Sequence, residues 1–275
     1  MKRVTLIFRI QIESERERER ESVLGFQMET QSPIILPPLP ILFSFFFTIY
    51  LIAYFIVFRT WSPKIRPEAS SCLISLAHGT PAVFFSSYAL LSDPSTGFAA
   101  ANTRLQNSVL EFSVAYFLMD LLHYLIFFPG DVLFIGHHLA TLFVFLTCRY
   151  VASRGALAVL GLLILAEVTS LCQNVWTLAN ARRREVEFAA KVYDFLSPPF
   201  YVLYSIVRGF VGPYFVYRMT AFYASGAAEG LIPRWVWLSW IVVVVAAISV
   251  SIMWISNLWV ELFRDRSGKL EKKTR

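Results

Sequence analysis

The sequence predicts an all-α, polytopic membrane protein: a helical bundle with about seven transmembrane helices. Hydrophobic residues make up 56% of the 275-residue chain and charged residues only 16%, whereas soluble domains carry about 25% charged residues. The apolar residues are gathered in runs of membrane length, and most basic residues lie between those runs. The net charge of +6 therefore indicates membrane-flanking charge rather than a nucleic-acid surface, and we expect no nucleic-acid partner.

The first 27 residues differ from the rest of the chain. Residues 14–22 contain a strict Glu/Arg alternation with no apolar face, and such a segment has nothing to bury. Because a GA dinucleotide repeat read in frame gives the same alternation, we hypothesise that residues 1–27 are a translated leader and that Met28 is the true start. The alternative is a disordered charged tail. Residues 28–61 are then an N-terminal segment with the first transmembrane helix.

Seven apolar runs have the length of a membrane helix, for which about 20 residues span a hydrocarbon core of about 30 Å. The third and fourth are the shortest, at about 17 residues each, and the helix-breaking turn Pro129-Gly130-Asp131 separates them. The runs are roughly Leu39 to Phe58, Ser71 to Leu91, Phe112 to Phe128, Val132 to Cys148, Ala156 to Leu178, Leu196 to Tyr217 and Trp235 to Val260. The sixth is expected to begin after Ser197-Pro198-Pro199.

The basic residues predict the orientation of the bundle. With seven spans, one set of loops and the C-terminal tail carry 13 basic residues and the opposite set carries five. Basic residues collect on the cytosolic side of membrane proteins. We therefore expect a cytosolic C-terminus and a luminal or exterior N-terminus near Met28.

The basic tail, residues 264–275, ends in Lys272-Lys273-Thr274-Arg275. Lysines at the third and fourth positions from the end of a cytosolic tail resemble a dilysine retrieval signal, which predicts residence in the endoplasmic reticulum. The alternative is a juxtamembrane basic cluster that meets anionic lipid.

All four histidines, His78, His123, His137 and His138, lie inside predicted spans. Ionisable groups in a membrane are costly, usually face the bundle interior and are functional candidates. Asp120, Glu167 and Arg208 join them, with Asp131 at a helix start. Helical spacing places these residues on three polar faces: Tyr116, Asp120, His123 and Tyr124; His137, His138 and Thr141; and Glu167, Ser170 and Asn174.

Each polar face has two interpretations. Interhelical hydrogen bonds commonly join membrane helices, and we favour this for Thr141, Ser170 and Asn174. For the histidine pair with Asp120 and Glu167 we favour a functional role, because packing alone can use uncharged groups.

Two further residues leave alternatives open. His78 precedes Gly79-Thr80-Pro81, where glycine permits close approach and proline kinks the helix, so it is a candidate wall of a pocket. Arg208 either pairs with Glu167 or Asp120 as a structural bridge, or holds an anionic lipid head group or a CoA phosphate.

A histidine beside a carboxylate in an apolar pocket can act as a general base on a hydroxyl or amine, which suits acyl transfer to a lipid. We expect no metal and no resident cofactor, since four histidines are about half the number in membrane di-iron enzymes. Cys72, Cys148 and Cys172 all fall in apolar runs and are interpreted as small core residues rather than a disulfide framework. No serine-hydrolase elbow, P-loop or dinucleotide fingerprint is present.

Five motifs occur in order along the chain: Ser75-Leu76-Ala77-His78-Gly79, Tyr116 to Asp120, Gly130-Asp131, His137-His138-Leu139-Ala140-Thr141 and Ala166-Glu167-Val168-Thr169-Ser170. These ordered motifs resemble those of the TLC-domain membrane proteins, which include the ceramide synthases. The resemblance covers about residues 62–263, and it is closest to TLC-domain proteins of unassigned activity.

The resemblance implies a six-helix core around a lipid-accommodating cavity, preceded here by one extra helix. It also makes His137, His138 and Asp120 the catalytic candidates. Lipid-cavity candidates are His78, Tyr116, His123, Tyr124, Thr141, Glu167, Ser170, Asn174 and Arg208. The chain departs from the ceramide synthases at Glu167, where they carry a His-Asp-x-x-Asp element, and it lacks their N-terminal accessory domain.

Three functions follow as hypotheses. The first is a protein of the endoplasmic reticulum that binds, senses or handles a membrane lipid and contributes to lipid homeostasis. The second is an acyltransferase that uses His137 or His138 as base, with acyl-CoA as donor and a sphingoid or other lipid as acceptor. The third is a trafficking or translocation partner, which would bind a protein through loop residues such as Arg182 to Arg184.

Overall fold

A computed structural model describes residues 37–93 and 97–274 of the chain, with side chains described through Arg264. The predicted leader, the start at Met28 and the dilysine side chains lie outside the described part. The helices are α1 Leu39–Ile52, α2 Arg66–Leu91, α3 Arg104–Phe127, α4 Val132–Leu146, α5 Ala156–Glu167, α6 Ser170–Arg182, α7 Glu187–Ile206, α8 Gly212–Ala224 and α9 Arg234–Thr274. Three of them continue as π-helical turns: α1 through Ala53–Val57, α4 through Thr147–Ala152 and α7 through Val207–Val211.

The predicted helical membrane bundle is confirmed. Within the described residues, five helical stretches are long and apolar enough to cross a membrane: Leu39–Val57, Arg104–Phe127, Val132–Ala152, Ala156–Arg182 and Arg234–Arg264. The other two predicted spans fall on α2 and on α7 with α8, which carry more polar residues. α2 packs against α3, α5 and α6 and buries polar side chains such as Ser71, His78 and Ser86. A helix surrounded by protein in this way need not be apolar on every face.

The fifth predicted span corresponds to one membrane-length stretch, Ala156–Arg182, in which Val168 and Thr169 separate α5 from α6. The start of the sixth predicted span is wrong. The sixth begins well before the two prolines, because α7 starts at Glu187 and contains both Pro198 and Pro199.

Packing explains why α7 continues through the prolines. The Ser197 hydroxyl donates to the Tyr193 carbonyl at 2.6 Å and accepts from the Trp176 indole at 2.9 Å. Trp176 also stacks on Tyr193 and contacts the Phe200 ring. The apolar cluster between α6 and α7 thus holds the helix on both sides of the missing N–H groups.

Local sequence signals set the ends of the central helices. α3 begins with a capping box, in which the Thr103 hydroxyl accepts from the Gln106 N–H and the Gln106 side chain accepts from the Thr103 N–H. This start lies eight residues before the predicted span. Asp131 caps α4 by accepting from the Phe134 N–H at 3.3 Å, as expected from its place after the Pro-Gly turn.

The bundle has two distinct ends. The basic end is formed by the connections at residues 58–65, 128–131 and 183–186; here the Arg182 guanidinium lies 5.0 Å over the Trp61 ring. The far end is formed by residues 92–93, 97–103, 153–155 and 225–233. At the far end the Ala101–Arg154 bridge joins the connections at residues 97–103 and 153–155, and the Tyr223 hydroxyl at the end of α8 donates to the Phe98 carbonyl of the first.

Candidate functional site

A cavity of about 360 Å³ lies inside the bundle, within the size range typical of small-molecule sites. Its two halves differ: apolar side chains line the half nearer the far end, whereas the half nearer the basic end carries the polar side chains together with Cys72, Phe134 and Trp254. The polar part belongs to the half of the bundle nearer the basic end, and its members are Glu68, Ser71, Ser75, Tyr116, Asp120, Tyr124, His137, His138, Thr141, Glu167, Ser170, Gln173, Asn174, Thr177 and Arg208. The apolar part is nearer the far end, and it includes Val144, Phe145, Val159, Leu162, Leu163, Val243 and Val244. The cavity is therefore amphipathic.

Asp120 of α3 is the centre of a buried polar cluster. Its Oδ2 lies 2.8 Å from His138 Nε2 of α4, and its Oδ1 accepts from the Ser71 hydroxyl of α2 at 2.6 Å. The Tyr116 hydroxyl lies 3.5 Å from Oδ2, one helical turn away. Asp120 and His138 are each only 4% exposed. The structure thus brings the predicted aspartate and histidine together and joins three helices through them.

The hydrogen bonds of His138 fix the number of protons on this pair. Nδ1 lies 2.7 Å from the Phe134 carbonyl oxygen, which only accepts, so Nδ1 carries a hydrogen. A second proton lies between Nε2 and Asp120. Whichever atom holds that proton, the pair is neutral overall and His138 has no free lone pair. His138 is therefore a fixed structural and electrostatic element rather than an available base.

His137 has a different environment. It is an exposed residue on α4 that lines the cavity, and its ring meets the His138 and Phe117 rings edge to face at 5.5 and 6.5 Å between centroids. Among the described residues it makes no hydrogen bond. Of the two predicted catalytic histidines, His137 is thus the one with ring nitrogens available to a ligand.

Glu167 lies at the break between α5 and α6, against α2. A Cβ atom placed on Gly79 would lie 2.6 Å from Glu167 Oε2 and 2.8 Å from Ser170 Oγ, so glycine permits this close approach. Asn174 donates to Ser75 Oγ at 2.8 Å and to Ser170 Oγ at 3.0 Å. The third predicted face therefore joins α6 to α2, and it also lines the cavity.

The structure places His78 and His123 outside the cavity wall, which corrects the expectation for both. His78 is fully buried; its Nε2 lies 3.1 Å from Ser113 Oγ and its ring stacks on Tyr116 at 4.0 Å between centroids. His123 Nδ1 lies 2.9 Å from the Tyr50 hydroxyl of α1. His123 lies on the side of α3 that faces α1, whereas Tyr116, Asp120 and Tyr124 lie on the side that faces the cavity.

Arg208 does not form the structural bridge that was one of the two expectations. It takes part in none of the ion pairs among the described residues. Its Nη2 donates to the Ala166 carbonyl at 2.7 Å, its guanidinium carbon lies 5.4 Å over the Tyr204 ring, and its Nε is buried without a hydrogen-bond partner. Both predicted partners lie against other groups: Asp120 against His138, and Glu167 Oε1 3.8 Å from His78 Nδ1.

Several contributors to the site were missed from the sequence. Ser71 binds Asp120, Ser75 binds Asn174, and Gln173 lines the cavity. The available signal was the i, i+4, i+8 spacing of Ser71, Ser75 and Gly79, which places them on one face of α2. Among the described side chains no group of three or more His, Cys, Asp or Glu residues could hold a metal ion.

Comparison with known proteins agrees with this architecture. The chain matches the TLC domain over residues 68–260. It is similar to the TLC domain-containing protein At5g14285 of Arabidopsis thaliana, with 64% identity over 245 residues that cover 87% of this chain and 96% of that protein. No solved structure matches the chain. The protein therefore belongs to the TLC-domain family of membrane proteins.

Proposed function

We propose that this protein binds a membrane lipid in its central cavity and through that binding contributes to membrane lipid homeostasis. The observation that carries the proposal is the division of the cavity wall into a polar half and an apolar half. A lipid has the same division, since its head group needs hydrogen-bond partners and its acyl chain does not. The apolar half, between α4, α5 and α9, offers a surface on which a chain is removed from water.

The orientation of the ligand follows from the same division. The head group would lie at the depth of Asp120, His137 and Glu167, and the chain would extend toward the far end. By the distribution of basic residues, the basic end is the cytosolic one. We expect the protein to reside in the membrane of the endoplasmic reticulum. Imaging of the tagged full chain tests this location, and the Lys272→Ala/Lys273→Ala variant is the comparison.

A matched pair of substitutions on α4 tests lipid binding. Thr141 lines the cavity, whereas Leu139 is 54% exposed on the outside of the same helix. Thr141→Trp should fill the cavity, and Leu139→Trp should add the same ring outside it. Both variants are purified in mild detergent, and the bound lipid is extracted and quantified by mass spectrometry. We expect a specific lipid with the wild type and L139W and its loss in T141W. Equal lipid content in all three would contradict the proposal.

The environment of His137 favours a second function, acyl transfer from acyl-CoA to a lipid amine or hydroxyl. A free imidazole nitrogen at the polar end of the cavity would take the acceptor proton while the acceptor attacks the thioester carbonyl. The new amide or ester bond forms, the carbon–sulfur bond breaks, and the proton passes to the departing CoA thiolate. Labelled acyl-CoA and a panel of sphingoid and glycerolipid acceptors test this. Product that His137→Ala abolishes would establish the reaction, and no product from folded wild type would exclude it.

A further inference from the structure

We infer that the cavity is built for an acidic lipid, whose oxyanion, a carboxylate or a phosphate, is bound by Arg208. The inference rests on the proposed lipid cavity and names the chemical class of its ligand. The juxtaposition that carries it is a cavity-lining guanidinium that forms no ion pair among the described residues, beside the apolar part of the cavity wall.

The position of Arg208 is the first step. It lies in the π-helical turn Val207–Val211, between α7 and α8, near the middle of the stretch that runs through the bundle. A charged side chain at such a depth is costly unless it is paired. Only one hydrogen bond, to the Ala166 carbonyl, connects Arg208 to the described residues, although a guanidinium carries five N–H donors.

The neighbouring carboxylates do not neutralise it by contact. Asp120 is held by His138 and Ser71 at hydrogen-bond distances. Glu167 packs against Gly79 of α2, and its Oε1 lies 3.8 Å from His78 Nδ1. Arg208 is thus the cavity-lining cation that forms no ion pair among the described residues, and its Nε–H is buried without a partner.

The geometry of the free donors favours an oxyanion. Planar N–H groups in a fork match carboxylate and phosphate oxygens, and such charge-assisted bonds are about twice as strong as neutral ones. From Arg208 the cavity wall continues to Gly212, Val243, Val244 and Ala247, which are apolar. The acidic head would therefore lie at Arg208 with its chain along α5 and α9.

The test compares lipids that share one chain. Palmitate and palmitoyl lysophosphatidate carry an oxyanion, whereas monopalmitoylglycerol is neutral. Binding to the purified full chain is measured by native mass spectrometry and by competition with a fluorescent lipid. We expect the two acidic lipids to bind about tenfold or more tightly than the neutral one, as one charge-assisted contact predicts.

Arg208→Gln keeps an amide donor for the Ala166 carbonyl but removes the charge, so it should abolish that preference while leaving the affinity for monopalmitoylglycerol unchanged. Arg218→Gln is the matched control, because Arg218 lies on α8 with its guanidinium on Tyr214 and does not line the cavity; it should keep the preference. Arg208→Lys should recover part of it, since lysine restores the charge without the fork.

The outcomes separate this inference from the proposed function. Lipids that bind wild type equally well whatever their head group, or a preference that survives in R208Q, would overturn the assignment of Arg208 while leaving the lipid cavity intact. Failure of all three lipids to bind wild type would contradict the proposed function itself. Displacement of palmitate by inorganic phosphate alone at the same concentration would contradict a site for a lipid.

Discussion

At the far end of the bundle Asn102 uses both ends of its side-chain amide on other segments, whereas on the cavity wall the buried Nε of Arg208 has no hydrogen-bond partner among the described residues. The Asn102 amide donates to the Cys148 carbonyl at 3.1 Å and accepts from the Ala156 N–H at 2.9 Å. The other buried side-chain polar atoms without a hydrogen bond among the described residues are Arg66 Nε, His78 Nδ1, Ser86 Oγ and Arg182 Nε, and none of these four residues lines the cavity.

This difference separates a structural region from a functional one. Buried polar groups are normally hydrogen-bonded, and an exception calls for an explanation such as a ligand or a catalytic role. The far end has the contacts that hold helices and loops together. The basic half has cavity-lining groups whose remaining donors and acceptors are available to something outside the chain, which is where we place the ligand.

The largest expected effect is a difference in stability between variants of the two neighbouring histidines. His138→Ala leaves Asp120 buried without its main partner, which should lower the free energy of unfolding by about 3–5 kcal/mol. His137→Ala removes a ring without hydrogen bonds among the described residues and should change stability by about 0.5 kcal/mol or less. Thermal unfolding of the purified variants, followed by tryptophan fluorescence, measures both. Equal destabilisation would show that the two histidines are not divided into a fixed and a free one.

The close approach of α2 to Glu167 gives the next effect. Gly79→Ala places a Cβ 2.6 Å from Glu167 Oε2, and overpacking of this kind typically costs about 1–3 kcal/mol. Gly136→Ala is the matched control, since it is also a helical glycine but has nothing within 4 Å of the added Cβ. It should be neutral or slightly stabilising, because alanine is the better helix former. A melting temperature that G79A leaves at the wild-type value would contradict the packing described here.

The smallest expected loss of stability is for a substitution at the far end. Thr103→Ala removes the capping box of α3 and should cost about 1 kcal/mol of stability, with the bound lipid unchanged. Ser108→Ala removes only an exposed hydroxyl bonded to its own helix and should have almost no effect. Loss of bound lipid in folded T103A would show that the far end is not purely structural.

Much of the fold follows from the sequence because membrane length and apolar composition are local properties. The turn at Pro129, the cap at Asp131 and the polar faces of α3 and α6 were all predicted from short patterns. The continuation of α7 through Pro198 was not, because it depends on a partner distant in the chain, Trp176, and the break between α5 and α6 was not predicted either.

Prediction of the site from the sequence has the same limit. The sequence indicates that Asp120 and His138 face inward. That His123 contacts Tyr50 depends on where α1 packs against α3, which the sequence does not reveal. The role of Arg208 depends on which carboxylates already contact other side chains, and the sequence alone does not reveal those contacts. Sequence spacing identifies a polar face, whereas only packing decides what each member of the face contacts.

The most direct test of the central claim is a photoreactive lipid with a diazirine at the end of its acyl chain, bound to the purified full chain and cross-linked by light. The amphipathic cavity predicts labelled peptides from the second half of α4 and from α5, at residues such as Val144, Phe145 and Leu162, with loss of that label in T141W. Labelling confined to outward-facing residues such as Leu139 and Val202, and unchanged in T141W, would contradict a lipid inside the bundle.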